Sequence, residues 1–327
     1  MFGNQYNVED IMKKIMLTGG HGFLGSHVYS KLKERYDIFV PSHNVFDLRK
    51  ESDISMAFSD CSTIIGFPDV VIHLAAVAGG IGLNMREPAT LFYDNLVMGT
   101  LLMNLSHQFG VKKYLSVGTV CAYPKFTQVP FKEEDIWNGY PEETNAPYGL
   151  AKKMALVQSQ AYRKQYGFNS IYLIPVNLYG PGDNFDPENS HVIPGLIKRF
   201  IDAKNQNLDS VTVWGSGKST REFLYVEDCA EAIVTAMERY DGPEPINIGT
   251  GKSITIRGLV FTIADLVGYN GEIIWDSSKP DGQPARMLDI SKAKQYFGFE
   301  AKTSFVDGLK KTIDWYLTGK GKEKHVN

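Results

Sequence analysis

Tyr148 and Lys152 stand four positions apart in the run Tyr-Gly-Leu-Ala-Lys. On a helix that separation puts both side chains on one face. A phenol titrates near pH 10, too high for acid–base work at neutrality, but a nearby ammonium favours its ionised form. Such a pair can hand a proton to a ketone oxygen while a separate donor supplies hydride to the carbon. An isolated pair of this kind is common on solvated helix surfaces. What lifts it here is Thr119, which follows the apolar run 113–117 and would sit at the carboxyl edge of a sheet, where ligands bind in such folds. Its hydroxyl can orient the same carbonyl.

The hydride donor has a place as well. Gly19-Gly20-His21-Gly22-Phe23-Leu24-Gly25 reads GxxGxxG, directly after the apolar run 14–18 and directly before a helix-compatible stretch. Gly19 and Gly22 allow the backbone to approach a pyrophosphate held on the helix N-terminus, and Gly25 allows the helix to pack closely. An NAD-selective site carries an acid about 20 residues on. Here that region is Pro41-Ser42-His43-Asn44, and the first acid, Asp47, comes late. Ser42 and His43 can instead donate to a 2′-phosphate, so the cofactor expected is NADP(H).

These groups need a scaffold. Strand-like runs at 14–18, 38–40, 70–74, 113–117, 171–175 and 211–214 alternate with helical segments at 26–36, 89–109 and 147–166. That alternation predicts an α/β fold, a Rossmann-type doubly wound parallel sheet covered on both faces, with a smaller mixed α/β lobe. The expected division gives the sheet-bearing domain residues 13–178 plus a return at about 211–250. The smaller lobe takes about 179–210 and 251–317, and 318–327 form a charged tail. The chain has 327 residues, 43% of them hydrophobic, enough for a sizeable core. Its 34 basic and 37 acidic residues leave a formal charge of −3, which offers no field for nucleic acid or an anionic membrane. Cys61, Cys121 and Cys229 show no CxxC spacing, which argues against a disulfide framework and a thiolate metal site. Neither a signal peptide nor a membrane span is expected, and a cytoplasmic location follows.

A longer string of motifs carries a resemblance. Gly79-Gly80-Ile81, Cys121-Ala122-Tyr123-Pro124, Pro147-Tyr148, Asn177-Leu178-Tyr179-Gly180-Pro181, Asp183-Asn184-Phe185, Ser190-His191-Val192, Val213-Trp214-Gly215, Arg221-Glu222-Phe223 and Lys279-Pro280-Asp281-Gly282 occur in order. Over about residues 13–317 the chain resembles the extended short-chain dehydrogenase/reductase family, most closely its GDP-L-fucose synthase branch. That resemblance implies a GDP-linked 4-keto-6-deoxy sugar as substrate, reduced at C4 after inversion at C3 and C5. Cys121 and His191 match the inverting pair. Protons beside a ketone are acidified because the carbanion becomes an enolate, and a thiol and an imidazole titrate close enough to neutrality to move them. Arg199 and Arg221 match arginines near the diphosphate. Trp214 and Asp281 match contacts to the guanosine or its sugar, and Asn177 faces cofactor and substrate alike. Val117, Gly118, Pro175 and Leu178 join Lys152 and His191 around the nicotinamide. A homodimer built on the helices near 89–109 and 147–166 is also implied.

Four positions depart from the pattern. Thr119 and Val120 replace two serines, Val77 replaces a basic residue, and His21 stands where many bacterial members have arginine. The first change alters the wall of the sugar pocket. An alternative therefore remains: a C4 reductase without epimerase activity, acting on a GDP-6-deoxy-4-keto-heptose or a related sugar. A dehydratase would need an acid pair where Val120 and Cys121 stand.

Overall fold

The computed structural model describes residues 14–187, 189–279 and 283–319. The first half alternates strand and helix: β1 (Lys14–Thr18), α1 (Phe23–Leu32), β2 (Asp37–Phe39), α2 (Glu51–Ile64), β3 (Val70–His73), α3 (Ile81–Arg86), α4 (Pro88–Gln108), β4 (Lys113–Val117), α5 (Ala146–Tyr166) and β5 (Ser170–Pro175). The second half is β6 (Asn177–Tyr179), α6 (Val192–Asn205), β7 (Ser210–Trp214), β8 (Thr220–Tyr225), α7 (Val226–Arg239), β9 (Ile246–Ile248), β10 (Ser253–Thr255), α8 (Ile256–Val267), β11 (Glu272–Asp276), β12 (Ala285–Arg286), α9 (Ser291–Phe297) and α10 (Phe305–Leu317).

Six strands form a parallel sheet in the order β2-β1-β3-β4-β5-β9. Its strands are apolar throughout because both faces are covered. Ile15 and Leu17 pack with Val28 of α1 and with α7, whereas Met16 turns to the opposite face with Phe58 of α2 and Met103 of α4. The chain runs outward from β1 to β2, then crosses back to β3. This reversal opens a crevice at the carboxyl ends of β1 and β3, the position where doubly wound sheets bind ligands.

The smaller lobe has its own core, in which α6, α8 and α10 pack with β7 and β8. Its strands make a four-stranded group around β8, which pairs with β6, β10 and β12, and a two-stranded pair of β7 with β11. The stretch expected to return to the main sheet at 211–250 therefore divides. Residues 211–225 pair within the smaller lobe, and only α7 and β9 return, α7 against α1 and β9 beside β5. Helix α1 starts at Phe23, three residues before the expected 26, because its first turn opens directly from Gly22. Glu222 ties the lobe to its neighbours. Its buried carboxylate accepts from the backbone N–H groups of Thr250, Gly251 and Leu288, which ties together β8, the turn before β10 and the residues after β12. Of the expected tail at 318–327, residues 320–327 lie outside the described residues.

Candidate active site

The glycine turn is built by two contacts that only glycine permits. Gly19 adopts φ +71°, and a Cβ there would come within 2.6 Å of the Ala75 nitrogen. A Cβ on Gly25 would strike the Gly19 carbonyl oxygen, so α1 can start this close to β1 only without a side chain. The result is a cradle at the N-terminus of α1 that lines the crevice, the kind of site that holds a phosphate.

A cavity of about 980 Å³ runs from this cradle to the reacting residues. Gly19, Gly22, Phe23, Leu24 and Gly25 line one end together with His21 and His43. Val117, Gly118, Thr119, Cys121, Tyr148, Lys152, Pro175, Asn177, Leu178, His191 and Arg221 line the rest. Ser42, expected to face the cofactor, does not line it; its carbonyl instead caps the turn through the N–H groups of Val45 and Phe46. Arg49, unforeseen, does reach this end, but its guanidinium is engaged by Asp47 at 2.8 and 3.0 Å and by Asp94 at 3.1 Å. The unbroken cleft, the glycine cradle and a lysine at the far end fit a dinucleotide. Loop 74–80 forms the wall facing the cradle. It is pinned by Asn95, whose side chain donates to the Val77 carbonyl at 2.9 Å and accepts from the Val77 N–H at 3.1 Å.

At the reacting end, Thr119 caps the short helical turn 120–122 by accepting the Cys121 N–H at 3.2 Å. With a lone pair so used, its O–H proton is available to a carbonyl oxygen. Gly149 lets α5 lie against this turn, since a Cβ there would meet the Cys121 carbonyl oxygen. That contact sets Tyr148 beside Cys121. Burial raises the Tyr148 pKa, reinforced by Cys121, so the phenol stays protonated. Lys152 is buried and pushed down to about 8 for the same reason. Burial and Cys121 both act on the phenol in the same direction, upward. A protonated phenol is the form that donates to a ketone.

His191 stands at the N-cap of α6 without a side-chain cap, and half of its side chain is exposed where it lines the cavity. Desolvation opposes its charge, but the negative Asp183 carboxylate, 4.0 Å from Nδ1, outweighs that and raises its pKa. Asp183 itself is buried, with Oδ2 unpartnered and Oδ1 accepting from the Asn184 N–H at 2.7 Å. Val120 is only 3% exposed and packs in the main core, yet it also lines the cavity between Thr119 and Cys121, so its substitution does reach the pocket wall.

A second cavity of about 250 Å³ adjoins the first, sharing Asn177, Leu178, His191 and Arg221 and adding Trp214. Trp214 is 60% exposed, so it is not a core residue, and the Lys279 ammonium lies 5.5 Å from its ring centroid. Arg199 lines neither cavity: it is exposed on α6 and donates to the Thr212 carbonyl at 2.9 Å. Asp281 lies outside the described residues. Sequence reasoning missed Asp183, Gln283 and Arg286. The last two arrive on the wall of the main cavity from β12 and the residues before it, more than 130 residues after Tyr148. No helix among the described residues is long and apolar enough to cross a membrane, and no cluster of three potential metal ligands occurs among them.

Comparison with known proteins agrees with this geometry. The chain is 41% identical over 313 residues to GDP-L-fucose synthase 1 of Arabidopsis thaliana, covering 95% of each chain. The solved GDP-L-fucose synthetase of Naegleria fowleri, bound to NADP, superposes with a TM-score of 0.84 at 30% identity, covering 94% of this chain and 95% of that one. A GDP-6-OMe-4-keto-L-xylo-heptose reductase from Campylobacter jejuni superposes with a TM-score of 0.86 at 28% identity, over 94% and 98%. The model of the NAD dependent epimerase/dehydratase family matches residues 15–249. With its glycine cradle, Tyr148/Lys152 pair and crevice all in place, the chain belongs to that family.

Proposed function

We propose that the protein reduces the 4-keto group of a GDP-linked 4-keto-6-deoxy sugar with NADPH, after inverting the carbons on either side of the ketone. The observation that carries this reading is the joint presence of Cys121 and His191 with Tyr148 in one cavity. A plain ketone reductase needs only the last. NADPH would lie along Gly19–Gly25 with its ribose end toward His21 and His43, and when bound it supplies the hydride. Thr119 and Tyr148 hold the ketone oxygen, and Tyr148 gives it a proton as the carbon is reduced. For inversion, one group removes the proton beside the ketone and the electron pair moves into the enolate oxygen. A second group then returns a proton from the opposite face. Asp183 favours the protonated imidazole, so His191 holds the proton to be given and Cys121 takes the one removed. Arg221 and Trp214 suit the diphosphate and the base. The chain acts as a homodimer in the cytoplasm, through α4 and α5.

The test is incubation with NADPH and GDP-4-keto-6-deoxy-mannose in D₂O, followed by NMR of the product. Deuterium at C3 and C5 with GDP-fucose formed is the expected result. Reduction without deuterium at those carbons would overturn the epimerase half. It would favour the C4-reductase reading, for which the likeness to the heptose reductase speaks; a GDP-6-deoxy-4-keto-heptose is then the next substrate to try.

A further inference from the structure

Arg286 is a buried cation. It is 8% exposed, and among the described residues no carboxylate pairs with it. Its Nε donates to the Gln283 side-chain oxygen at 3.1 Å, and Nη1 donates to the Cys121 sulfur at 3.6 Å. Nη2 has no protein partner among the described residues, and the residue lines the main cavity. Strand β12 carries it there. Register places Arg286 opposite Arg221 on β8, and Glu222 next in β8 holds Leu288 beyond it. Gln283 meanwhile donates to the Lys125 carbonyl at 2.8 Å, so the smaller lobe is fastened to the sheet domain beside the reacting turn.

Leaving a guanidinium buried and unpaired is unfavourable unless a negative charge appears there during the reaction. The atom it touches is the one that would carry such a charge. We propose that Arg286 is a positioning residue for Cys121: it fixes the sulfur toward the sugar and stabilises the negative charge that sulfur bears when it removes a proton. This rests on the epimerase reading above. The other groups facing Cys121 give it no such support, since Tyr148 is a neutral phenol and Thr119 engages only the Cys121 N–H. A partly exposed cysteine beside a cation is the setting in which sulfur is reactive. Cys61 and Cys229 lie in the opposite setting: both are buried and desolvation pushes both thiols up, Cys61 to about 12.

That contrast makes a selective assay possible without substrate. The full-length protein is alkylated with iodoacetamide at pH 7 and the rate at Cys121 is followed by mass spectrometry, with C121S as the control for the two buried cysteines. Arg286→Met is expected to slow alkylation about tenfold, the scale of one charge-assisted contact, while Arg286→Lys, which keeps the charge, stays within about threefold of wild type. NADPH binding of each variant checks its fold. Should Arg286→Met not fold, Arg286→Gln is compared with Arg286→Lys in the same assay. Equal rates in wild type and the uncharged variant, or a lysine variant as slow as the uncharged one, would overturn the proposal. Loss of GDP-sugar binding with alkylation unchanged would do so too, by assigning the cation to the substrate's phosphates. Because alkylation needs no turnover, a wild-type enzyme that fails to incorporate deuterium sinks the epimerase reading separately.

Discussion

At the scale of single residues the site is a set of environments more than a set of side chains. Tyr148 is kept protonated by burial, His191 is drawn toward its charged form by Asp183, and Lys152 is held near 8. The His191 shift has a sign that can be checked. An imidazole whose pKa is raised stays protonated to higher pH and loses its proton as pH rises through that raised value. If His191 returns the proton, deuterium incorporation should fall on the alkaline side. Asp183→Asn removes the attraction, so that fall should begin at lower pH. The measurement is the pH profile of C3/C5 deuterium incorporation in both proteins, and profiles that coincide would show that Asp183 does not act on His191. Asp183 was quoted in sequence only as part of a motif; its role became visible when folding set its buried carboxylate beside the imidazole.

At the scale of elements, close approach is what the glycines provide. The α1 start lies so near β1 that a single methyl at position 25 meets the Gly19 carbonyl oxygen. Gly25→Ala is therefore expected to cost about 1–3 kcal/mol of stability, as overpacking does, and to weaken NADPH binding because the cradle must widen. Denaturant unfolding and NADPH fluorescence titration check the two halves. This part was readable from spacing, since a strand, a GxxGxxG turn and a helix are contiguous and their contacts are local. The adenosine end was less so. Both Ser42 and His43 follow β2, but the turn after β2 directs His43 to the cavity and uses the Ser42 carbonyl for its own N–H groups. One residue of difference in a turn separates lining from not lining.

For the whole molecule, α4 and α5 lie side by side on one face of the sheet and leave Phe92, Tyr93 and Val157 exposed. If this face joins two subunits, sedimentation should give about twice the 36.5 kDa of the chain. A charge placed there, Tyr93→Glu with Val157→Arg, should shift the protein to monomers, and a monomeric wild type would remove the proposal. The two lobes meet over the active site, and that meeting was the least legible feature. The glycine turn opens the first strand–helix unit and Thr119, Tyr148 and Lys152 belong to the one built on β4 and α5, so periodicity and order along one regular alternation were enough to assemble a cofactor cleft and a proton donor. Local hydrogen bonding and the two-sided burial of a parallel sheet dictate that much. Arg286, Gln283 and Asp183 depend instead on where a distant strand and loop are laid across the crevice. Nothing in their spacing encodes it: Arg286 reaches Cys121 because β12 pairs with β8 and Glu222 anchors the chain just beyond. Burial and charge at the reacting end arise from that long-range packing, and so only the tertiary structure decided which groups tune the chemistry.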